Sequence, residues 1–290
     1  INNFLIEKNS FVFESIEKGF IKGRYTIFGK NPDKIWEFNN NNSFLIKKNK
    51  KIRINTKPQI LIEKIIEEFK FATPKKLPKI CSLISGYFSY DSIRYIENIP
   101  NSCKNDLNLP DVRILRPQTL IIHDNLKKEI FFIINIFKDK KIKNYQRKFN
   151  EIKSELLKLI IQSSIKSNNK KINNNKNIKV KSNTPKKKFL SMVNKAKKYI
   201  KSGDIFQVVL SQRFEANLTK KPLEIYKKLR ITNPSPFMFF FNFSDFQIIG
   251  ASPEILVRLR DNKITVRPIA GTRPRGKNYK EDIFYEKDLL

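Results

Sequence analysis

The chain has 290 residues, 40% of them hydrophobic and 12% aromatic, which is enough to bury a sizeable core and excludes wholesale disorder. It contains two cysteines, too few for a disulfide framework, so we expect a reducing, cytoplasmic location. No apolar run approaches the roughly 18–20 residues that a membrane-spanning helix requires, and the first residues lack a signal-peptide pattern. The composition therefore predicts a globular protein with no membrane partner.

The formal net charge of +32 raises the question of nucleic-acid binding. The 59 basic residues are 46 lysines and only 13 arginines, and arginine is the residue that favours bidentate contacts with bases and phosphates. Lys, Asn, Ile and Phe all have A/T-rich codons, so a mutational bias explains the lysine excess without any ligand. A nucleic-acid-binding protein would instead cluster arginines and aromatic residues on one face and bind with a steep salt dependence. We therefore predict no nucleic-acid partner.

Alternating apolar and polar residues predict several short strands in the first half of the chain. These strands cover residues 10–13, 23–28, 34–38, 43–46, 51–54, 80–90, 118–123 and 129–137. Apolar residues at helical spacing predict helices over 58–69 and 142–162. The residues after the second helix are mainly Ser, Asn and Lys, which is typical of a linker or mobile loop. We therefore divide the chain into an N-terminal region at 1–162, a linker at 163–183 and a second domain at 184–290.

The patterns become sharper after the linker. Thr184 is predicted to cap a helix that has Pro185 at its first position and that ends at Gly203. The remaining predicted elements are a strand at 205–214, a helix at 222–231, and hairpins that turn at residues 244–245 and 261–262. The whole pattern predicts the α+β class, with layers of sheet and helix and mostly antiparallel strands.

Both ends of the chain look cut. The sequence begins at Ile1 rather than at a methionine. It stops at Leu290, inside a helix that Asn278 is predicted to cap with Glu281 as its capping-box partner. We therefore expect the sequence to be a fragment of a longer protein.

The residues alone show no generic catalytic motif: GxGxxG, a Walker loop, GxSxG, CxxC and HExxH are all missing from the sequence. Two segments still favour a site. Glu254 places a carboxylate at the start of a predicted strand. In the loop at 267–276, Gly271 admits a ligand close to the backbone, Thr272 offers hydrogen-bond donors, and arginines add positive charge. This combination suits a small carboxylate substrate, and a plain strand-end turn with solvated arginines is the alternative.

Four segments of the second half form a set with characteristic order and spacing. They are GDIFQVVLSQR at 203–213, NPSPFM at 233–238, GASPE at 250–254 and PIAGTRPRG at 268–276. Near the start, FES at 13–15 is followed by GRY. Together these segments resemble the motifs of the chorismate-utilising enzymes, and within that family the large subunits of anthranilate synthases. The resemblance covers nearly the whole chain and implies the family's layered, α/β/α sandwich-like fold.

Two positions distinguish the activities within this family. Isochorismate and salicylate synthases carry a lysine that activates water where this chain has Gln207. Aminodeoxychorismate synthases carry a nucleophilic lysine where this chain has Ala270. The resemblance therefore implies attack by ammonia and a lyase of the anthranilate synthase type. A component I of aminodeoxychorismate synthase and a non-catalytic remnant of the family are the alternatives.

The resemblance also implies roles for individual residues. In the family, ammonia adds to C2 of chorismate as the C4 hydroxyl leaves, and pyruvate is then eliminated to give anthranilate. Glu254 matches the general acid that protonates the leaving hydroxyl, a role that burial favours, and a carboxylate paired with Arg258 or Arg267 is the alternative. Gly271 and Thr272 match positions that hold the substrate carboxylates. Gln207 is expected to orient substrate or ammonia, with a purely structural strand residue as the alternative. The family's Mg²⁺ ligands match positions after Leu290, so we expect this chain to hold half of an active site.

Anthranilate synthases of this type are inhibited by tryptophan at a separate site. Ser15 matches a serine of that site, and Pro236, Phe237 and Met238 match the wall opposite it. Phe237 stands where the family usually has tyrosine, which removes one hydroxyl. Ordinary core packing is the alternative explanation for these apolar residues.

The resemblance finally implies a partner protein. Ammonia normally comes from a glutamine amidotransferase subunit, anthranilate synthase component II. This chain has no Cys–His pair suited to that glutaminase chemistry. We therefore expect a separate amidotransferase partner, with chorismate as substrate and tryptophan as effector.

Overall fold

In a computed structural model of the chain, the described residues are 7–16, 23–47, 50–69, 72–137, 145–165, 178–267 and 271–290. The chain divides into two compact units. The first unit comprises Ile1–Asn169 and Pro222–Pro253, and the second comprises Lys170–Lys221 and Glu254–Leu290. The two units therefore interleave along the sequence. Residues 166–177 of the predicted linker lie outside the described residues, and the division into 1–162, 163–183 and 184–290 stays a prediction.

The described residues form thirteen strands and five α-helices. The strands are β1 (Ser10–Glu14), β2 (Tyr25–Asn39), β3 (Asn42–Lys47), β4 (Lys50–Ile54), β5 (Ser85–Phe88), β6 (Val112–Asp124), β7 (Glu129–Ile134), β8 (Val180–Ser182), β9 (Phe214–Ala216), β10 (Phe237–Asn242), β11 (Gln247–Ser252), β12 (Arg258–Arg260) and β13 (Lys263–Thr265). The helices are α1 (Pro58–Glu68), α2 (Tyr145–Ile165), α3 (Lys186–Ser202), α4 (Pro222–Thr232) and α5 (Tyr279–Leu289), with a 3₁₀ helix at Tyr90–Tyr95. The predicted α+β class is confirmed.

Nine strands of the first unit form one antiparallel sheet. Its main path runs β11-β10-β1-β2-β3-β4, while β6 pairs along β2 and also carries β5 and β7. The β10–β11 hairpin, which turns at residues 244–245 as predicted, joins this sheet because β10 pairs with β1. Strands far apart in the sequence therefore lie side by side: Phe237 and Met238 of the predicted tryptophan site lie on β10, and Ser15 directly follows β1.

The long strand β2 replaces two strands that the sequence predicts at 23–28 and 34–38. Its pairing with β6 continues across both segments, with a register shift between Pro32 and Lys34. Pro32 lies opposite Pro117, so neither residue has a backbone N–H to contribute to the ladder at that point. The prolines predicted an interruption, but here they mark an irregularity within a continuous strand.

Alternate residues of the central strands bury themselves on opposite faces of the sheet. Phe11 of β1 packs with Phe241 and Phe243 in one cluster. On the other face, Val12 packs with Met238, Phe240 and α4 residue Tyr226. A third cluster lies under α1, whose Ile65 packs with Trp36 and Phe38. The helices α1 and α4 thus cover apolar faces that strand alternation creates, and α4 covers the face that carries Met238.

Gly86 of β5 lies close to the backbone of β6. A Cβ built at Gly86 would lie 2.0 Å from the carbonyl oxygen of Arg113 and 2.8 Å from Cα of Ile114, both on β6. Because the obstacle is backbone, it cannot rotate away. We expect Gly86→Ala to lower the free energy of unfolding by about 1–3 kcal/mol, measured by urea denaturation. The neighbouring Ser85→Ala is the control: it removes a buried hydroxyl with no hydrogen-bond partner among the described residues, so stability should not fall.

A buried ion cluster crosses the sheet next to β5. Arg113 and Glu37 are register partners on β6 and β2, each with a side chain 5% exposed. The Arg113 Nε donates to Glu37 Oε2 at 2.9 Å, and its Nη2 donates to Asp245 Oδ2 at 3.0 Å. The guanidinium also lies 4.7 Å from the centre of the Phe246 ring. Lys51 reaches the other oxygen of Glu37 at 2.6 Å, so every charge in the cluster has an opposite partner.

The predicted strands at 80–90 and 205–214 are wrong in extent. The first is shortened to β5, because the chain turns into the 3₁₀ helix at Tyr90. The second is reduced to β9, a three-residue strand that pairs only with β8. Phe206 within the predicted strand is fully exposed, and no partner strand lies beside it among the described residues. A strand-forming sequence requires a partner ladder, which local propensity cannot supply.

The second unit has little core of its own. Ala196 of α3 is the one buried apolar side chain among the residues described in this unit. The helix α3 ends at Gly203 in the left-handed conformation, with φ of 81°, as predicted. Its N-cap is Pro185 rather than Thr184, whose hydroxyl instead donates to the Asn183 side chain at 3.0 Å. The second predicted hairpin forms between β12 and β13.

Candidate functional site

The predicted tryptophan-site segments lie next to each other in the first unit. Glu14 at the end of β1 is in register with Met238 on β10. One residue beyond the ladder, the N–H of Ile16 donates to the carbonyl oxygen of Ser235 at 3.0 Å. Ser15 is therefore held between two direct connections to the 235–238 segment, although more than 200 residues separate them in sequence.

The second N-terminal motif packs onto the first. Gly23 has a φ of 95°, and a Cβ there would lie 2.6 Å from the carbonyl oxygen of Ser15. Only glycine fits both the conformation and the space. The next residue, Arg24, donates to Asp124 from Nε at 3.0 Å and from Nη2 at 2.9 Å, which fixes the chain as it enters β2. This arginine lowers the pKa of the Asp124 carboxyl.

The four predicted tryptophan-site residues differ in exposure. Met238 is buried in the cluster beneath α4, so its packing role is established. Ser15 and Pro236 are half-buried. Phe237 is 42% exposed. The exposed edge of this group could contact a small molecule, while its interior is ordinary core.

Sequence reasoning missed two residues of this region, Tyr226 and Arg230 on α4. The Tyr226 hydroxyl donates to Glu14 Oε1 at 2.5 Å, and Arg230 Nε donates to both oxygens of Glu14 at 2.9 and 3.0 Å. Burial, reinforced by the hydrogen bond to Glu14, raises the pKa of the Tyr226 hydroxyl, so it remains a donor. The i,i+4 spacing of the two residues placed them on one helix face, but the sequence did not show which strand they would meet.

The predicted catalytic residues lie in the second unit and are open to solvent. Gln207 is exposed in the segment after α3, and Glu254 is exposed just after β11. Gly271 and Thr272 are exposed in the loop before α5, while Ala270 lies outside the described residues. A general acid is expected to be buried, but the described residues of this chain leave Glu254 exposed because so little of the second unit is buried.

The arginine-rich loop is tied to α5. Asp282 accepts the N–H of Gly276 at 2.9 Å and the guanidinium of Arg275 at 3.0 Å, and the Gly276 N–H is the main cause of its lowered pKa. Arg273 pairs with Asp288 of the same helix. Arg273 and Arg275 are therefore ion-paired to α5, although the Arg275 side chain is 92% exposed.

The predicted N-cap of α5 is confirmed, because Asn278 Oδ1 accepts the N–H of Glu281 at 3.0 Å. Glu281 does not complete the predicted capping box: its side chain accepts the N–H of Lys277, one residue before the cap, at 2.7 Å. Both acidic side chains at the start of α5 are thus engaged in holding backbone. Within the described ranges, no group of three or more His, Cys, Asp or Glu side chains could hold a metal ion. The described part of the chain does not form a Mg²⁺ site, and Mg²⁺ remains a prediction.

Comparison with known proteins gives consistent matches along the chain. The family model of the chorismate binding enzyme matches residues 8–290. Anthranilate synthase component 1 of Acetivibrio thermocellus is 38% identical over 288 residues, which cover 97% of this chain and 58% of that protein. The corresponding protein of Cereibacter sphaeroides is 37% identical over 293 residues, with the same coverage. The chain therefore spans about 58% of the length of these curated relatives.

A solved structure shares the fold. The crystal structure of anthranilate synthase component I from Streptococcus pneumoniae TIGR4 superimposes with a TM-score of 0.74 at 28% sequence identity. The match covers 95% of this chain and 58% of that chain. The layered fold expected from the sequence is therefore confirmed. Separately, no helix among the described residues is long and apolar enough to cross a membrane.

Proposed function

Because the chain belongs to the chorismate binding enzyme family, we propose that it is part of an anthranilate synthase large subunit. In this proposal the complete protein converts chorismate and ammonia into anthranilate and pyruvate, the first committed step of tryptophan biosynthesis. The observation that carries the proposal is the match to relatives named anthranilate synthase component 1 across 97% of this chain. Gln207, in place of the family's water-activating lysine, supports ammonia as the nucleophile.

The proposed chemistry assigns a proton transfer to Glu254. A bond forms between nitrogen and C2 of chorismate while the C4–O bond breaks, and Glu254 donates the proton with which the hydroxyl leaves as water. The backbone of Gly271 and the N–H and hydroxyl of Thr272 hold substrate carboxylates, and Gln207 orients the reactants. Pyruvate is then eliminated and the ring becomes aromatic. Mg²⁺, when bound, would neutralise substrate carboxylate charge, and the chain offers no ligand set for it within the described residues.

Ammonia delivery calls for a partner in this proposal. The relatives are named component 1, which supports a second component that works with them. We propose that this second component is a glutamine amidotransferase subunit. It would release ammonia from glutamine and pass it to the active site of the large subunit.

Tryptophan is the proposed feedback inhibitor. The support is geometric: Ser15 lies beside the 235–238 segment, through the Glu14–Met238 register and the bond from Ile16 to Ser235. An apolar wall with a few backbone polar groups at its edge suits an indole ring.

The hydroxyl missing at position 237 gives a gain-of-function prediction. Phe237 is 42% exposed, so a tyrosine hydroxyl can be accommodated there. We expect Phe237→Tyr to lower the tryptophan concentration for half-inhibition by about two- to tenfold, the value of one added hydrogen bond. Phe214→Tyr adds the same hydroxyl to an exposed residue of β9 and should leave inhibition unchanged. Equal half-inhibition in Phe237→Tyr and wild type would remove Phe237 from the site.

Product identity tests the proposed activity against its alternatives. The complete protein is incubated with chorismate, ammonium and Mg²⁺, and the products are separated by chromatography. Anthranilate is the expected product. Aminodeoxychorismate would favour the aminodeoxychorismate synthase alternative and contradict the inference drawn from Ala270. Isochorismate would contradict the inference drawn from Gln207. Unchanged chorismate would favour a non-catalytic remnant.

A further inference from the structure

The carboxylate of Glu14 forms an anchor between β1 and α4. Its side chain is 10% exposed, and its two oxygens accept three hydrogen bonds from Tyr226 and Arg230. Tyr226 is buried and Arg230 is half-exposed. We call these three residues the Glu14 anchor. It is the charged part of a contact that is otherwise apolar, because Leu223 and Leu229 of α4 pack against the same cluster.

The Glu14 anchor lies where two chain segments meet. Ser15 follows Glu14 directly, so the Glu14 anchor fixes the backbone position of Ser15. The helix α4 ends at Thr232 and runs through residues 233–236 into β10, where Met238 stands opposite Glu14. Both segments of the proposed tryptophan site are thus attached to the anchor within a few residues, one on each side.

Apolar packing would hold α4 on the sheet without a charge. Burying a carboxylate costs desolvation free energy, which only well-placed partners offset, so an ion pair is a poor choice where stability alone matters. An ion pair with three directed hydrogen bonds does fix one relative position of helix and strand, which interchangeable leucine contacts do not. The anchor therefore points to a requirement for precise placement.

Resting on the proposed tryptophan site, we propose that Tyr226 and Arg230 are positioning residues of that site. Through Glu14 they hold Ser15 and the 236–238 segment at the spacing that the ligand requires, without contacting the ligand themselves. When the anchor is weakened, the binding-competent arrangement is populated for only part of the time. Apparent affinity then falls in proportion to that population.

The test measures tryptophan binding to the complete protein by calorimetry, together with its inhibition of anthranilate formation. We expect Arg230→Gln to weaken both by about tenfold, because a charge-assisted contact is lost. Arg230→Lys keeps the charge and should recover part of the loss. Lys227→Gln removes the same charge from an exposed position of α4 and should bind like wild type. The rate without tryptophan should stay within about twofold in all three variants.

A double-mutant cycle separates positioning from general stability. If Arg230 acts through Glu14, adding Arg230→Gln to Glu14→Gln should weaken tryptophan binding no further, whereas additive losses would overturn the proposal. Tyr226→Phe removes one hydroxyl and should weaken binding a few-fold, which decides the matter if Arg230→Gln does not fold. Wild-type affinity in Arg230→Gln would overturn the anchor alone. A complete protein that binds no tryptophan would overturn both the anchor and the proposed site. Tryptophan binding without anthranilate formation would overturn only the proposed activity, since calorimetry still tests the anchor.

Discussion

Glu254→Gln should slow anthranilate formation by about 10²–10⁴-fold, the usual contribution of a general acid. Glutamine has nearly the same shape as glutamate but has no acidic proton, so the C4 hydroxyl would have to leave unprotonated. The KM for chorismate should change little, because the lost interaction belongs to the transition state. The measurement is the steady-state rate with ammonium as the nitrogen source, which avoids any dependence on the partner subunit.

Glu215→Gln is the matched control for this substitution. Glu215 is also an exposed carboxylate of the second unit. It lies on β9 and is ion-paired with Arg213, which directly precedes that strand. Glu215→Gln makes the same change of charge at a residue with no proposed role in the chemistry, so the rate of this variant should equal that of wild type. A Glu254→Gln protein that retained the wild-type rate would show that another residue protonates the leaving hydroxyl.

Arg113→Leu should lower the free energy of unfolding by about 1–3 kcal/mol, the cost of leaving the buried Oε2 of Glu37 without a donor. Glu37 would lose the guanidinium beside it and retain Lys51, whose side chain is 47% exposed. Trp36, the only tryptophan of the chain, is buried next to Glu37 on β2. Its fluorescence during urea denaturation therefore reports the unfolding of the first unit directly.

Arg147→Leu is the control, because it removes an arginine–glutamate pair that is exposed to solvent rather than buried. Arg147 and Glu151 lie one turn apart on α2, with side chains 79% and 61% exposed. Water screens this pair, so the loss should be within about 0.5 kcal/mol. Equal midpoints for the two variants would show that the cluster around Arg113 contributes no more than a surface pair.

The ion cluster around Arg113 also makes the free energy of unfolding depend on pH in a definite direction. Arg113 lowers the pKa of the Asp245 carboxyl by hydrogen bonding to it. The pKa of Asp245 is thus lower in the folded than in the unfolded protein, so its contribution to stability is fully present above the unfolded value of about 4. It is lost as the pH falls from there through the folded value. Arg113→Leu should therefore flatten the acid side of the stability profile.

Local patterns predicted the elements well where burial is one-sided. The β10–β11 hairpin, α1, α4 and the cap of α5 were all foreseen, since each depends on residues close in sequence. The continuity of β2 and the loss of the strand at 205–214 were not foreseen. Both depend on whether a distant strand supplies a ladder, which local alternation does not encode.

The residues of the candidate sites also divide into those that sequence motifs identified and those that depend on contacts distant in sequence. Motif resemblance named Ser15 and Met238, and the structure places their segments side by side. Tyr226 and Arg230 were missed because Glu14, their partner, is more than 200 residues away. Gln207, Glu254 and Thr272 were named by resemblance alone. Their convergence around a substrate stays a prediction, since all three are exposed in a unit with little core.

The most direct test of the central claim follows the nitrogen atom. The complete protein is incubated with chorismate, Mg²⁺ and ¹⁵N-ammonium, and the products are analysed by mass spectrometry. The proposed activity predicts anthranilate that carries one ¹⁵N, with one pyruvate released for each anthranilate formed. A labelled product that retains the pyruvyl group, or an unlabelled isomer of chorismate, would contradict it.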